Sequence, residues 1–324
     1  MLVSLAILVI VAGTVITGMI RMTWSQNTVM NRTQVHSGVR NATELMQQEV
    51  GQAGKVSLPG ALTIPAITAV GSQAVAPSSM TGLFLGEQLL VDPGPNQEFV
   101  YLTNVASSTI TATFGSTHAL ATGSTGVPVV LMGGFASGVI PPSGGFVFRG
   151  GDTAKTTMDS TNNYGSTGSV LKLYGDLNGD GTMYYVVYKC DQAAGTLYRY
   201  YSSDVTSATT MTTGTATLLL DNISPNPNNA PCFTYSTKSL YVSVNGGSAT
   251  VQQTFVINVA VTLTVQTQNK DLQTNTTQTE TKALLNIAPR NVFEAWEAGS
   301  LPGGYIGIQP MPPNVMNSLA ALYH

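Results

Sequence analysis

The run Leu2-Val-Ser-Leu-Ala-Ile-Leu-Val-Ile-Val-Ala-Gly-Thr-Val-Ile-Thr-Gly-Met-Ile20 decides how the fold begins. It contains no charged residue, and about 20 apolar residues are enough to cross a bilayer as a helix. A cleaved secretory signal would have a shorter apolar run and a small-residue cleavage site, and no Ala-x-Ala follows this run. We therefore expect a membrane-spanning helix over residues 1–20.

The helix is expected to continue past the apolar run, because no proline occurs before Pro59. Over residues 21–54, small and apolar residues recur at intervals of three and four, which is the pattern of one helix face. Glu49 is expected to lie off this stripe, and Gly54 and Pro59 are expected to end the helix. The stripe consists of Val35, Val39, Ala42, Met46, Val50 and Ala53.

Beyond residue 55 the pattern is typical of short strands, because Gly, Pro, Ser, Thr and Asn interrupt the apolar runs. The clearest strand is Thr254–Gln266, where apolar residues alternate with polar ones and predict a solvent face that includes Thr254 and Thr264. Residues 292–324 are interpreted as a tail that lies over the domain or over a neighbouring subunit. The sequence thus predicts an α+β fold with a long N-terminal helix packed on a large antiparallel β-rich domain, residues 55–291.

A tyrosine-rich hairpin is predicted in the middle of this domain. Its first strand is Met183–Cys190, its turn covers residues 191–195, and its second strand is Thr196–Tyr201. The tyrosines could form a binding surface or pack across the strands. We favour packing, because aromatic cross-strand pairs stabilise half-buried sheets.

Composition favours an exported protein over a cytosolic enzyme. Only 9% of the residues are Asp, Glu, Lys or Arg, against roughly 25% in ordinary soluble domains. The net charge is −3, and a nucleic-acid binder would need clustered basic residues. In an exported chain the two cysteines, Cys190 and Cys232, predict one disulfide, whereas in the cytosol they would be two buried thiols.

Several segments resemble one family of filament proteins. The stretch Met1-Leu-Val-Ser-Leu-Ala-Ile-Leu-Val-Ile-Val-Ala-Gly13 resembles the N-terminal helix of type IV pilins and type II secretion pseudopilins. The segment Arg40–Gly54 resembles the helix end of the large minor pilins, of the PilW- and PulJ-like kind. The order of turn, tyrosine-bearing strand, turn and short strand from Leu171–Asp176 to Leu197–Arg199 also resembles those proteins. The segment Ala283–Asn291 resembles their closing strand.

The resemblance implies a structural subunit of an extracellular pilus-like filament or pseudopilus. In the family the helix lies in the inner membrane before assembly and then packs with copies of itself or other pilins, with the help of an assembly machinery. A basic leader and a glutamate of the family would, on this alignment, lie before Met1. The helix positions that the resemblance assigns to assembly are Leu2, Leu5, Leu8, Val9, Val11, Val15, Ile16, Ile20, Val35, Val39, Met46 and Val50.

The turn Asp176-Leu-Asn-Gly-Asp-Gly-Thr182 is a candidate calcium site. Oxygen-bearing side chains at positions one, three and five can converge on a hard cation, and a glycine at position six allows the sharp turn. No other cofactor is expected. The candidate ligands are Asp176, Asn178, Asp180 and Thr182.

The calcium motif is incomplete, because Val187 stands where a helix–loop–helix calcium loop has glutamate. A missing ligand would come from elsewhere, for example from Asp191 or Asp204. The alternative is an Asx-rich β-turn that holds no ion, since Asp-Gly and Asn-Gly are strong turn formers. The sequence leaves both alternatives open.

Asn275 begins an Asn-x-Thr sequon in a Ser/Thr-dense segment and is a candidate glycosylation site. The alternative is an unmodified polar loop. Asn31 and Asn41 also begin sequons but fall on the predicted helix, where bundling would restrict access.

Enzyme signatures are scarce, so we expect no catalytic activity. The three histidines, His36, His118 and His324, have no zinc-ligand spacing, and neither a nucleophile elbow nor a phosphate-binding loop occurs. Two alternatives to a filament subunit remain. One is a membrane-anchored adhesin or binding module that does not polymerise, and the other is an exported hydrolase with a nonlocal site.

Overall fold

A computed structural model describes residues 2–151, 155–158, 165–203, 215–244, 249–271, 274–301 and 307–319. The architecture is α+β, with one long N-terminal helix packed on a large, mostly antiparallel β-rich domain, which confirms the predicted fold class. The helices are α1 (Leu2–Gln52), α2 (Arg290–Gly299) and α3 (Pro313–Leu319), and a single 3-10 turn covers Pro227–Asn229.

The first sheet has its own apolar core and pairs its strands in the order β1-β6-β3-β4-β5-β2. Its strands are β1 (Leu62–Ile64), β2 (Gly71–Val75), β3 (Gln88–Val91), β4 (Glu98–Val105), β5 (Ile110–Phe114) and β6 (Val127–Leu131). Two short strand pairs connect this sheet to the rest of the domain. One pairs β8 (Phe146–Phe148) with β9 (Lys155–Thr157), and the other pairs β7 (Gly134–Phe135) with a strand near the C-terminus, described below.

The other two sheets enclose the C-terminal half of α1. The second sheet, in the order β10-β11-β12-β13, contains β10 (Val170–Gly175), β11 (Tyr184–Asp191), β12 (Thr196–Ser202) and β13 (Thr215–Leu220). In the third sheet β16 is the central strand, paired with the other three. This sheet contains β14 (Ile223–Ser224), β15 (Phe233–Val244), β16 (Ala249–Gln266) and β17 (Thr279–Ile287).

The predicted end of α1 is confirmed, since the helix stops at Gln52 and Gly54 follows with φ +85°. That backbone conformation favours glycine. The Gly54 N–H donates to the Tyr174 carbonyl at 2.9 Å, and the Phe135 N–H donates to the Gly54 carbonyl at 2.8 Å. A Cβ at Gly54 would lie 2.9 Å from a Val292 methyl carbon. The end of α1 is thus fixed between three segments of the domain.

The strand over Thr254–Gln266 is confirmed and extends back to Ala249. Its predicted solvent face is partly wrong, because Thr254 and Thr264 are buried. The Thr254 hydroxyl accepts the Phe146 N–H at 3.0 Å, and the Thr264 hydroxyl lies 2.9 Å from the Thr281 hydroxyl. Other segments of the same domain cover this face and supply hydrogen bonds to both hydroxyls, so threonine is tolerated there.

The tyrosine-rich hairpin is confirmed, with β11 and β12 antiparallel and Cys190 opposite Leu197. Tyr185 and Tyr188 are fully buried, which favours the packing alternative. The rings of Tyr198 and Tyr200 lie on the same strand with centroids 5.9 Å apart.

The C-terminal region is more than a covering tail. Helix α2 buries Val292 and Ala295, and β18 (Ile308–Gln309) pairs in parallel with β7. The Gln309 side chain accepts the Gln88 N–H at 2.9 Å and donates to the Gln88 carbonyl at 2.9 Å. The described residues of 292–324 therefore pack on the domain, and Val292, Ala295 and Ile308 contribute to its core. Residues 302–306 and 320–324 lie outside the described part of the chain.

Candidate functional site

The candidate site is α1, whose two halves have different surroundings. Every residue from Leu2 to Asn27 is exposed, whereas Val39, Met46 and Val50 are at most 1% exposed. We call residues 2–30 the free half and residues 31–52 the seated half. Among the described residues, α1 is the one helix that is long and apolar enough to cross a membrane.

The large apolar side chains of the free half continue beyond the predicted span. Met22, Val29 and Met30 are 64%, 59% and 68% exposed. With about 100° of rotation per residue, they lie roughly 100–160° around the helix from the stripe that packs on the domain. The free half therefore has an apolar stripe on the side that faces away from the domain.

The structure divides the predicted assembly positions into two groups. Val39, Met46 and Val50 are buried in the core between the second and third sheets, and Val35 is partly buried against it. They hold α1 on its own domain, and their role in assembly stays a prediction. The remaining positions are exposed on the free half, and these are Leu2, Leu5, Leu8, Val9, Val11, Val15, Ile16 and Ile20.

A buried ion pair fixes the seated half on the second sheet. Glu49 is buried, which corrects its predicted place off the stripe. Arg199 Nε lies 3.0 Å from Glu49 Oε1, and the Tyr188 hydroxyl donates to Glu49 Oε2. Burial, together with the adjacent Glu49 carboxylate, raises the pKa of Tyr188. No motif near Glu49 in the sequence indicates this cluster, because Tyr188 and Arg199 are 139 and 150 positions away.

The predicted disulfide is present and joins Cys190 in β11 to Cys232, which immediately precedes β15. The sulfur atoms are 2.03 Å apart and 42 positions separate the two residues in sequence. Both cysteines are buried in the core that holds α1. The bond therefore links the two sheets that enclose the seated half.

Where the seated half begins, polar contacts join α1 to β17 and to the residue before it. Arg32 donates to the Gln278 side chain, and His36 Nδ1 lies 2.6 Å from Glu280 Oε1. These residues line an open groove of about 470 Å³. The contacts are exposed, so we expect each to contribute little to stability.

The candidate calcium turn has protein partners for both of its carboxylates. Asp176 is buried and accepts hydrogen bonds from the Ser57 hydroxyl at 2.7 Å and the Asp180 N–H at 3.0 Å, while Lys55 Nζ lies 3.1 Å away. Asp180 accepts from the Thr182 N–H and the Tyr184 hydroxyl, both at 2.8 Å.

These contacts decide how well the turn suits a cation. Burial acts to raise the pKa of Asp176, but the hydrogen bonds from Ser57, Lys55 and the Gly181 N–H outweigh it and lower that pKa. The geometry fits the Asx-turn alternative better than a calcium site, because the carboxylate oxygens point to protein donors. Of the other candidate ligands, Asp191 accepts two N–H groups of its own turn, and Asp204 lies outside the described residues.

The remaining candidate positions are distributed over the surface and the first sheet. Asn275 is exposed in a turn with φ +55°, so it is accessible, and its glycosylation stays a prediction. His118 is buried, with its ring nitrogens 3.4 Å from Asp92 Oδ2 and 3.0 Å from Glu98 Oε2. Within the described ranges no group of three or more His, Cys, Asp or Glu side chains is placed to hold a metal ion. His324 lies outside those ranges.

Comparison of the chain with protein-family models, with curated proteins and with solved structures found no match. The resemblance to pilins therefore rests on the sequence segments alone. The structural features that bear on function are those of α1 and its seat.

Proposed function

We propose that this protein is a structural subunit of an extracellular type IV pilus-like filament or pseudopilus, assembled through the free half of α1. The observation that carries the proposal is the exposure of every apolar side chain of α1 from Leu2 to Met30, while the apolar stripe of the seated half packs on the domain. A helix of this kind needs a partner, because exposed apolar surface of this extent is unfavourable in water.

A bilayer alone does not cover the free half. Residues 2–30 extend for about 43 Å at 1.5 Å per residue, whereas the hydrocarbon core of a bilayer is about 30 Å thick. Met22, Val29 and Met30 lie beyond residues 1–20, on the side facing away from the domain. Burying a side chain of this kind contributes about 1.5–3 kcal/mol. Copies of the same helix, or helices of other pilins, are partners that would cover both the span and this stripe.

In this proposal the protein lies in the inner membrane through the free half before assembly, and the β-rich domain faces outward. A pilus or type II secretion machinery would then transfer it to the filament at the cell surface. The domain would decorate the outside of the filament, where its disulfide suits an oxidising environment. The protein acts structurally here and not as an enzyme.

The second candidate function is a membrane-anchored adhesin or binding module that does not polymerise. The observation that favours it is the burial of Val35, Val39, Met46 and Val50 by the chain's own domain. This leaves the free half as the region for contact with other copies, and an anchor needs only part of it.

Cysteine cross-linking separates the two candidates. The described chain has no free cysteine, so a single new thiol on the free half reports its neighbours. We expect Val29→Cys to form disulfide-linked dimers on oxidation of native membranes and surface filaments. Asn27→Cys, exposed but about 160° around the helix from Val29, is the matched control and should cross-link more slowly. Equal or absent cross-linking of the two variants would contradict assembly through this stripe.

A further inference from the structure

We propose that Lys55 is a built-in cation of the turn Asp176–Thr182, where its ammonium group takes the place of a calcium ion and makes the turn independent of divalent cations. The turn has the oxygen-rich composition of a calcium loop, but the chain supplies the positive charge itself. The proposal concerns the domain and is independent of filament formation.

The first observation is the position of the ammonium group. Lys55 Nζ is 3.1 Å from Asp176 Oδ2, which is the distance of a hydrogen-bonded ion pair. A Cβ built on Gly179 would lie 3.7 Å from the same Nζ, so the ammonium group rests against the turn backbone. A cation bound to Asp176 Oδ2 would compete with Lys55 for the same oxygen.

The second observation is that Asp176 has no remaining need for a metal. Its side chain is 1% exposed, so its charge requires close compensation. Lys55, the Ser57 hydroxyl and the N–H groups of Asp180 and Gly181 all contact its two oxygens. A calcium ion would need six to eight oxygen ligands, and on Oδ2 it would have to displace the Lys55 ammonium group first.

The third observation is the way in which this contact joins α1 to the second sheet. Lys55 follows the end of α1 by three residues, and its carbonyl accepts the Asp176 N–H at 2.9 Å. A Cβ on Gly175 would lie 3.0 Å from the Lys55 backbone nitrogen, and one on Gly181 would lie 2.8 Å from the Leu58 carbonyl oxygen. The charge contact therefore lies within a close backbone fit that fastens the end of α1 to the turn between β10 and β11.

The test compares the calcium response of the full-length wild type with that of Lys55→Met, both in detergent micelles. We expect the Tm of the wild type to be the same in EDTA and in 5 mM calcium chloride, a concentration above the weak range of extracellular calcium sites. Lys55→Met should have a lower Tm in EDTA, and calcium should restore about 2–4 °C. Lys55→Arg, which keeps the charge, should remain insensitive to calcium.

Two outcomes would overturn the proposal. One is a calcium-dependent rise of the wild-type Tm that Asp176→Asn abolishes, because calcium would then bind in the presence of Lys55. The other is a Lys55→Met protein that folds but does not respond to calcium, in which case the lysine does not replace an ion. If Lys55→Met does not accumulate, Lys55→Gln removes the same charge and is subject to the same comparison.

Discussion

The free and seated halves of α1 belong to one continuous helix, yet they have opposite surroundings. Met22 in the free half is 64% exposed, and Met46 in the seated half is 0% exposed. The seated half is held by two sheets, a buried ion pair and a disulfide between those sheets. The free half contacts nothing comparable. The difference indicates that the domain holds the seated half in place and leaves the free half accessible to partners.

Within the seated half, the side that faces the domain and the side that faces solvent differ in how they hold charge. Glu49 is buried with Arg199 and Tyr188, whereas Glu44, five residues earlier, pairs with Arg40 on the exposed side. A buried charge requires its partner, while an exposed pair is largely screened by solvent. Identical residue types on one helix thus allow matched tests.

The largest effect is expected from Glu49→Ala. This change leaves Arg199 with a partly buried, uncompensated charge, so we expect a loss of about 3–5 kcal/mol in the free energy of unfolding. Glu44→Ala is the matched control and should cost at most about 0.5 kcal/mol. Denaturant unfolding of both variants in micelles measures the two values. Similar costs for the two variants would show that Glu49 does not fix the helix.

The second effect concerns the two methionines. Met46→Ala removes a fully buried side chain and should cost about 2–5 kcal/mol in the free energy of unfolding. Met22→Ala should change that free energy by less than about 0.5 kcal/mol, because Met22 contributes no packing within the chain. The same unfolding measurement compares them. If Met22→Ala were as costly as Met46→Ala, the free half would be packed on the domain.

The smallest effect on stability is expected from the Glu87 carboxyl. This effect is small at acidic pH and increases as the pH rises. This carboxyl is buried in the domain, and burial raises its pKa well above 4.5, while the Phe84 N–H lowers it slightly. The folded state therefore retains a proton that the unfolded chain has lost, so stability falls as pH rises from about 4.5 towards the raised pKa. Glu87→Gln should remove this part of the pH dependence, as measured by Tm between pH 4 and pH 8. An unchanged slope would show that Glu87 is ionised in the folded protein.

Features with local causes could be predicted from the sequence. The length of α1 follows from the absence of proline and the end glycine, and the stripe from Val35 to Ala53 follows from helical spacing. The β11–β12 hairpin likewise follows from two alternating runs with a short turn between them. The cysteine pairing could be predicted because the chain has only two cysteines.

Features that depend on distant partners could not be predicted. Glu49 is stabilised by Tyr188 and Arg199, which lie 139 and 150 positions later in the chain, and no sequence pattern near Glu49 indicates them. Thr254 is buried because a segment 108 positions earlier covers it. The parallel pairing of Ile308 with Gly134 likewise places the C-terminal region in the core. The burial of Val35 to Val50 depends on the same long-range assembly of sheets.

Cryo-electron microscopy of filaments sheared from the native cell surface would show whether the free half of α1 forms the filament core. We expect density in which residues 2–30 of neighbouring copies pack together at the filament axis, with Met30 in the contact and the β-rich domains outside. Filaments made of a different protein, with this chain remaining as single molecules in the membrane, would contradict the account and favour an anchored binding module.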